Sequence, residues 1–218
     1  MGKEINLLET SPKIDRDVEG RFKQITDEHH RIARQFGKAF FDGDRLVGYG
    51  GYKYDGRWMK VAETLRDYYG LTSKSSVLDV GCAKGFMLYD FMHIIPGIKI
   101  AGIDISQYAI DRVPKEVRPF VQTADAKKLP FPDKSFDLVI SITTLHNLPL
   151  EECKQSLREV MRVSKKHAFI TLDSWRNEIE RDRMEKWNLT ALTYMSVDDW
   201  KKLFAEVGYT GDYYWFIP

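Results

Sequence analysis

The residues best suited to chemistry cluster in residues 77–86, which read Val-Leu-Asp-Val-Gly-Cys-Ala-Lys-Gly-Phe. An apolar run ends in a loop holding Gly81 and Gly85 and then enters a helical pattern. Glycines at such a turn let the backbone approach a ligand and accept positive φ. The helix N-terminus that follows offers free N–H groups to polar or anionic ligand atoms. The Gly-x-x-x-Gly spacing differs from the dinucleotide fingerprint, and no Gly-Lys-Ser/Thr ending marks a triphosphate loop. Asp79 puts a carboxylate at the end of the apolar run, where it repels pyrophosphate and suits a ligand bearing an ammonium group. Asp104 closes the next apolar run, residues 100–103, and a carboxylate there can accept hydrogen bonds from both ribose hydroxyls. The pattern asks for a ligand with an amine at one end and a ribose at the other.

These residues resemble motif I and the following acidic motif of class I S-adenosylmethionine-dependent methyltransferases. The match runs over residues 76–172, with a weaker echo at 196–209. Ala124, Asp125 and Ala126, followed by residues 129–131 and 136–139, resemble the next family motif. Residues 141–149 resemble the segment after strand 4 in small-molecule members related to the ubiquinone and menaquinone methyltransferases. The resemblance implies S-adenosylmethionine as cofactor, held by Asp79, Gly81, Cys82, Ala83, Gly85, Asp104, Ile105 and Thr143. It further implies that Asp125 bonds the adenine amino group with the Ala126 amide near the ring. Ala83 stands where the family usually has glycine; alanine is the smallest replacement, so the departure bears on the loop geometry rather than on the cofactor.

In open α/β sheets, ligands occupy the crevice beyond the carboxyl ends of the strands. The strand ending at residues 141–144 puts His146 and Asn147 there, with His146 as a candidate general base because its pKa lies near working pH. Packing of His146 under the cofactor is the alternative. The next strand ends in Asp173, Trp175 and Arg176: Asp173 can act as base or orient a hydroxyl, and Arg176 can bind an anionic acceptor group. Capping and packing of the next helix would explain the same three residues. Upstream, four glycines in residues 48–56 mark a loop that carries Tyr49, Tyr52 and Tyr54 and runs into Arg57 and Trp58. Such a loop can close over the site and exclude water. It would bring Tyr52 to the methionine end of the cofactor, Arg57 to its carboxylate, and Tyr49 and Tyr54 to the acceptor. A satellite core under the N-terminal helix is the competing reading. This loop and the tail at residues 208–213 are similar to methyltransferases associated with bacterial surface-polysaccharide (capsule) biosynthesis.

The elements that must position these groups follow from periodicity. Short apolar runs at residues 77–80, 100–103, 120–122, 138–142 and 168–172 predict buried strands, with helices at 84–95, 108–113 and 150–163 between them. Apolar strands separated by helices predict a doubly wound, mostly parallel α/β sheet of the seven-stranded, Rossmann-like methyltransferase type with an N-terminal helical and aromatic lid. One amphipathic helix is expected over residues 17–35 and another from Trp58 to a cap at Gly70. Beyond the sheet come a charged helical segment, a helix at 196–207 capped by Ser196 and stopped by Gly208, and a final strand at 209–217. The chain thus reads as one domain over residues 1–218: an extension at 1–73, a cofactor-binding core at 74–175, and C-terminal helices with the last strand at 176–218.

Composition narrows the partners. The chain has 218 residues, enough for one sizeable core. Its 33 basic and 32 acidic side chains leave a net charge of +1, which gives no general attraction to nucleic acid or to an anionic membrane. No apolar run approaches a membrane span, and the polar N-terminus lacks a signal-peptide core. Gly2 raises the question of myristoylation, but Asn6 stands where that motif wants serine or threonine. Cys82 and Cys153 are too few and too far apart for a disulfide framework, and no His/Cys spacing suggests a metal. A cytoplasmic enzyme for a small-molecule acceptor is expected, with no nucleic acid, no metal, and a homodimer left open. Oxygen is the expected target, with a carbon of a quinone-type precursor or a non-catalytic cofactor-binding role as alternatives.

Overall fold

Strands buried on both faces need helices on both sides, and that requirement shapes the molecule. The computed structural model describes residues 2–11 and 16–218. Met1 and residues 12–15, part of the expected N-terminal extension, lie outside them. The central strands are β1 (Ser76–Val80), β2 (Lys99–Asp104), β3 (Val121–Thr123), β4 (Phe136–Ile142) and β5 (Ser164–Trp175), in the order β3-β2-β1-β4-β5. A two-residue β6 (Met195–Ser196) pairs with the last residues of β5, and β7 (Asp212–Phe216) pairs with residues 169–173 of β5. Every one of these ladders is parallel, so all carboxyl ends lie along one edge. The outer side of β7 is covered by the chain start, where Ile5 N–H donates to Tyr213 O and Tyr213 N–H to Lys3 O.

Helices among the described residues cover both faces of the sheet. Helices α4 (Met59–Tyr69) and α5 (Phe86–Ile94) pack Leu65, Leu88 and Phe91 against Val77, Leu138 and Phe169 on one face. On the other, α7 (Leu150–Val163) and α9 (Val197–Val207) pack Leu157, Trp200 and Phe204 against Val139, Ile170 and Leu172. Gly70 and Gly208 end α4 and α9 in the left-handed conformation, and Ser196 caps α9 through Asp199 N–H. The short α6 (Gln107–Ile110) follows β2, and α8 (Glu178–Trp187) follows β5.

The N-terminal region differs from the single helix expected over residues 17–35. It forms α1 (Val18–Phe22) and α2 (Asp27–Ala33), then an unanticipated α3 (Lys38–Asp42). The break lies at Thr26, which is extended and restarts the helix with a reciprocal cap: its Oγ1 accepts His29 N–H, and its own N–H donates to His29 Nδ1. Smaller shifts have similar local causes. The expected helix from residue 84 begins only at Phe86, because Gly85 is left-handed, and Phe120 closes a 3-10 turn rather than opening β3.

Candidate functional site

The loop after β1 turns on Gly81 at φ +86, with the Gly81 and Cys82 N–H groups both donating to Ile103 O at 2.8 and 2.9 Å. A side chain at Gly81 would start 2.2 Å from Thr144 Oγ1, so this position has room only for hydrogen. Gly85, at φ +67, opens α5. Ala83 is also left-handed, at φ +50, a conformation that costs an L-residue on the order of 1 kcal/mol. That geometry explains why glycine suits the position. The strain is held by a hydrogen bond from Ala83 N–H to Asp104 Oδ2 at 2.8 Å.

Two carboxylates flank this loop. Asp104 is buried; its Oδ1 accepts Ser106 N–H at 2.8 Å, and each oxygen keeps a lone pair for a further donor. Burial raises its pKa, and the Ser106 and Ala83 N–H groups partly offset the rise. Asp79 is also buried and has no hydrogen-bond or ion-pair partner among the described residues. Burial, and then the charge of Asp104, push its pKa up to about 8. An orphaned buried carboxylate suits an incoming ammonium group, so the residues present fit the amine and ribose of S-adenosylmethionine. Ile105 is 58% exposed beside Asp104, an apolar surface at the crevice rim. Asp125 sits on the turn after β3, bonded to Lys127 N–H at 3.0 Å, and Ala126 packs against the core. Thr143 ends β4 at φ +49, its N–H held by Thr171.

Over the carboxyl edge the N-terminal segment forms a roof fastened at both ends. On the β2 side, Ser106 Oγ donates to Phe36 O. Buried Lys84, in the glycine loop itself, donates to both oxygens of Asp42 and to Tyr52 O, each at 2.7 Å. Asp42 also accepts Tyr108 OH and Tyr52 N–H. Burial alone would raise Asp42, but Lys84, Tyr108 and that N–H together hold its pKa below the usual value. On the β5 side, Arg21 Nη1 donates to Trp187 O at 2.9 Å and His30 Nδ1 lies 3.0 Å from Leu189 O. Between the anchors, Phe41, Tyr52 and Phe86 form an aromatic cluster that Phe36, Phe40 and Trp58 join.

The tyrosines of the glycine-rich loop divide between roof and wall. Tyr52 is buried between Tyr49 and Phe86, and its hydroxyl accepts Trp58 Nε1–H. Burial raises its pKa, and nearby Asp79 adds to the rise. The Tyr49 hydroxyl is crowded enough, and near enough to Asp104, that its pKa is pushed up to about 12. Tyr54 turns to α5, where its hydroxyl donates to Asp90 at 2.6 Å. Arg57 is paired with Asp55 at 2.6 Å.

At the ends of β4 and β5, His146 and Asp173 form a buried pair. Asp173 N–H donates to His146 Nδ1 at 3.1 Å, and His146 Nε2 lies 3.5 Å from Asp173 Oδ1. Accepting at Nδ1 leaves the proton of the neutral ring on Nε2, facing the carboxylate. Burial lowers the His146 pKa and raises that of Asp173, each opposed by the other's charge. Leu192 and Thr193 N–H groups both donate to His146 O, tying the segment before β6 to this pair. The Oδ1 of Asn147 is buried without a partner. Trp175 stands edge-on to Tyr194 at 5.9 Å, whereas Arg176 points to the surface and faces Glu4 and Glu180. A polar cavity of about 630 Å³, lined by His30, Arg34, Asn188 and Tyr194 among others, lies between α2 and the end of α8.

Sequence reasoning missed Lys84, Asp42, Ser106 and the α1–α8 contacts. A lysine set among small residues in a buried loop was the one available signal.

A parallel sheet with a left-handed glycine turn after β1 and acids at the ends of β1 and β2 defines a class I methyltransferase. Residues 78–172, under half of the chain, match the methyltransferase domain family, in agreement with the class I S-adenosylmethionine-dependent methyltransferase fold of the sheet and its glycine turn. An uncharacterized protein of Haemophilus influenzae is 29% identical over 178 residues, covering 76% of this chain and 63% of that protein. The sterol 24-C-methyltransferase ERG6B of Gibberella zeae is 28% identical over 171 residues, covering 69% and 44%. The chain therefore spans between two fifths and two thirds of the length of these curated relatives. The YcgJ protein of Bacillus subtilis shares the fold, with a TM-score of 0.53 at 20% identity over 67% of this chain and 66% of that one. Among the described residues no helix is long and apolar enough to cross a membrane, and no group of three or more His, Cys, Asp or Glu could hold a metal.

Proposed function

We propose that the chain methylates an oxygen of a small polar acceptor: a sugar, nucleotide-linked or phosphate-type intermediate of bacterial surface-polysaccharide biosynthesis. The observation that carries this reading is the roof, fastened at Lys84–Asp42 on one side and Arg21–Trp187 on the other. A crevice closed at both ends favours a small molecule over a polymer and keeps water from the reacting atoms.

In this reading Asp79 holds the ammonium of the methionine moiety, Asp104 the ribose hydroxyls, and Asp125 with the Ala126 amide the adenine edge. The cofactor supplies an electrophilic methyl group on a sulfonium, so the protein's own contribution is alignment, exclusion of water and removal of one proton. Asp173 takes that proton from the acceptor hydroxyl, because burial gives its carboxylate a raised pKa suited to a general base. His146, whose Nδ1 already accepts Asp173 N–H, positions the carboxylate through its Nε2–H. Asn147 offers its unpartnered Oδ1 to the acceptor. A quinone-type carbon acceptor is the second reading, favoured by the likeness to a sterol C-methyltransferase.

The deciding experiment is transfer from S-adenosylmethionine labelled at the methyl carbon with carbon-13 to sugars, sugar phosphates and nucleotide sugars, read by NMR. An O-methyl resonance supports the proposal. A C-methyl product overturns the oxygen assignment, and tight S-adenosylhomocysteine binding with no transfer to any acceptor overturns the enzymatic reading.

A further inference from the structure

The polar cavity of about 630 Å³ lies against one face of α2. Asp27, His30, Arg31 and Arg34 line it at spacings of i, i+3, i+4 and i+7, which is a single stripe of a helix. Glu185, Asn188 and Tyr194 complete the lining. A hollow of this size takes one small molecule.

Pairing within the protein accounts for only part of the polar lining. Arg31 is held by Glu28, and Glu185 by Arg181 at 2.9 Å. Asn188 closes its own turn: its Nδ2–H donates to Ala191 O, and its Oδ1 accepts Ala191 N–H. His30 donates Nδ1–H to Leu189 O, since a carbonyl only accepts, so its neutral ring keeps a lone pair on Nε2. Arg34 and Asp27 have no hydrogen-bond or ion-pair partner among the described residues, and the Tyr194 hydroxyl has none either. The hollow therefore presents an unpaired guanidinium and an unpaired carboxylate, with neutral polar groups beside them.

The cavity adjoins the reacting edge of the sheet. Asp173 and Trp175 are two apart in β5, so their side chains leave the same face about 7 Å apart along the strand. Tyr194 meets the Trp175 ring edge-on at 5.9 Å, and β6, directly after Tyr194, pairs with Ser174 and Trp175. Leu192 and Thr193, on the same segment, hold His146 O through their N–H groups. The step from Tyr194 past Trp175 to the Asp173 carboxylate is the span of one sugar ring with its substituents.

We infer that this hollow is the acceptor subsite and takes an acidic sugar, with Arg34 on its carboxylate and Asp27 on its hydroxyls. This deepens the proposed function and rests on it. One guanidinium fork matches the two oxygens of one carboxylate. A phosphoryl group, with up to two charges, would meet that single free fork and the repulsion of Asp27 and Glu185. Asp27 accepts two hydroxyl donors at once, as a diol requires. Tyr194 adds an apolar ring for the sugar's C–H groups and a hydroxyl for its oxygens.

Saturation-transfer NMR on the full chain, with S-adenosylhomocysteine bound, compares D-glucuronate, D-glucose and D-glucose 6-phosphate. D-glucuronate is expected to bind at least about tenfold more tightly than D-glucose, and Arg34→Gln to lose at least about tenfold of that affinity. Arg34 is exposed, so the variant is expected to stay folded; S-adenosylhomocysteine affinity within about threefold of the parent shows that it has. No transfer to D-glucuronate, equal binding of D-glucose, tighter binding of the phosphate, or an unaffected Arg34→Gln each overturns the acidic-sugar site. These are binding readouts, so the reading beneath them fails separately. An O-methyl product from a neutral acceptor refutes the acid subsite alone, whereas a C-methyl product refutes the oxygen transfer on which it rests.

Discussion

The floor and the roof of the crevice are built by different physics. The floor, from Asp79 to Asp104, is held by backbone: left-handed turns at Gly81, Ala83 and Gly85, and N–H groups aimed at Ile103 O and Asp104. The roof, from Arg16 to Trp58, is held by side chains that meet partners far away in sequence, such as Lys84 with Asp42 and Arg21 with Trp187. A floor made of backbone geometry tolerates few residue types at each position. A roof made of side-chain pairs can be opened by removing one member, with the floor left in place.

The largest expected effect lies between the two, at the proposed base. Asp173→Asn should lower the transfer rate by roughly 10²–10⁴-fold while S-adenosylhomocysteine affinity stays level. A rate within threefold of the parent, measured in single turnover, would hand the proton step to His146 or to no side chain. Next is the floor. Asp104→Ala removes the ribose acceptor and orphans the Ala83 and Ser106 N–H groups, so binding should fall by roughly a hundredfold, about 3 kcal/mol. Unchanged calorimetric affinity would sink the ribose assignment.

The roof should respond differently. Lys84→Met leaves Asp42 facing Tyr108 without its cation, and losing one partner of a buried pair costs about 3–5 kcal/mol. The exposure of Asp42 moderates that figure. The contrast predicts that protease cuts residues 43–57 faster in this variant, with S-adenosylhomocysteine leaving faster but still binding. Equal cutting rates would show that the roof does not depend on the latch.

Asp79 offers a finer probe. Its pKa of about 8 in the free protein lies above the unfolded value, so it favours the folded state fully below about pH 4. That contribution is lost as pH rises from there through about 8. An ammonium ligand favours the ionised form, so binding near pH 7 should release up to about one proton. Calorimetry in buffers of different ionisation enthalpy would read this, and Asp79→Asn should abolish it; no proton release in the parent would contradict the orphaned carboxylate. The smallest effect is at Ala83. Ala83→Gly removes left-handed strain at the cost of a looser unfolded chain, a net change within about 1 kcal/mol. Gly81→Ala, meeting Thr144, should cost more. If the two substitutions melt alike, backbone conformation does not govern the floor.

The same contrast explains what was legible. Asp79, Gly81, Gly85 and Asp104 lie on consecutive strand ends, so strand-and-helix periodicity suffices to bring them together. The α7 and α9 helices are set by local spacing and by caps at Ser196 and Gly208. Helix α1–α2 was not legible as two pieces, because the break depends on the side chain of His29 turning back to the Thr26 backbone. Nor did anything near Tyr54 point to Asp90, or anything near Arg176 to Glu4.

By itself, then, the sequence determined the sheet, its crevice and the acids that face an amine and a ribose, because those follow from nearest-neighbour periodicity and backbone conformation. Only the tertiary structure decided that Lys84 fastens the roof, that His146 faces Asp173, and that Arg16 and Arg21 crowd together over Trp187. Each of those depends on side chains from distant segments meeting in a low-dielectric space, where pairing energies are large and sequence separation carries no information.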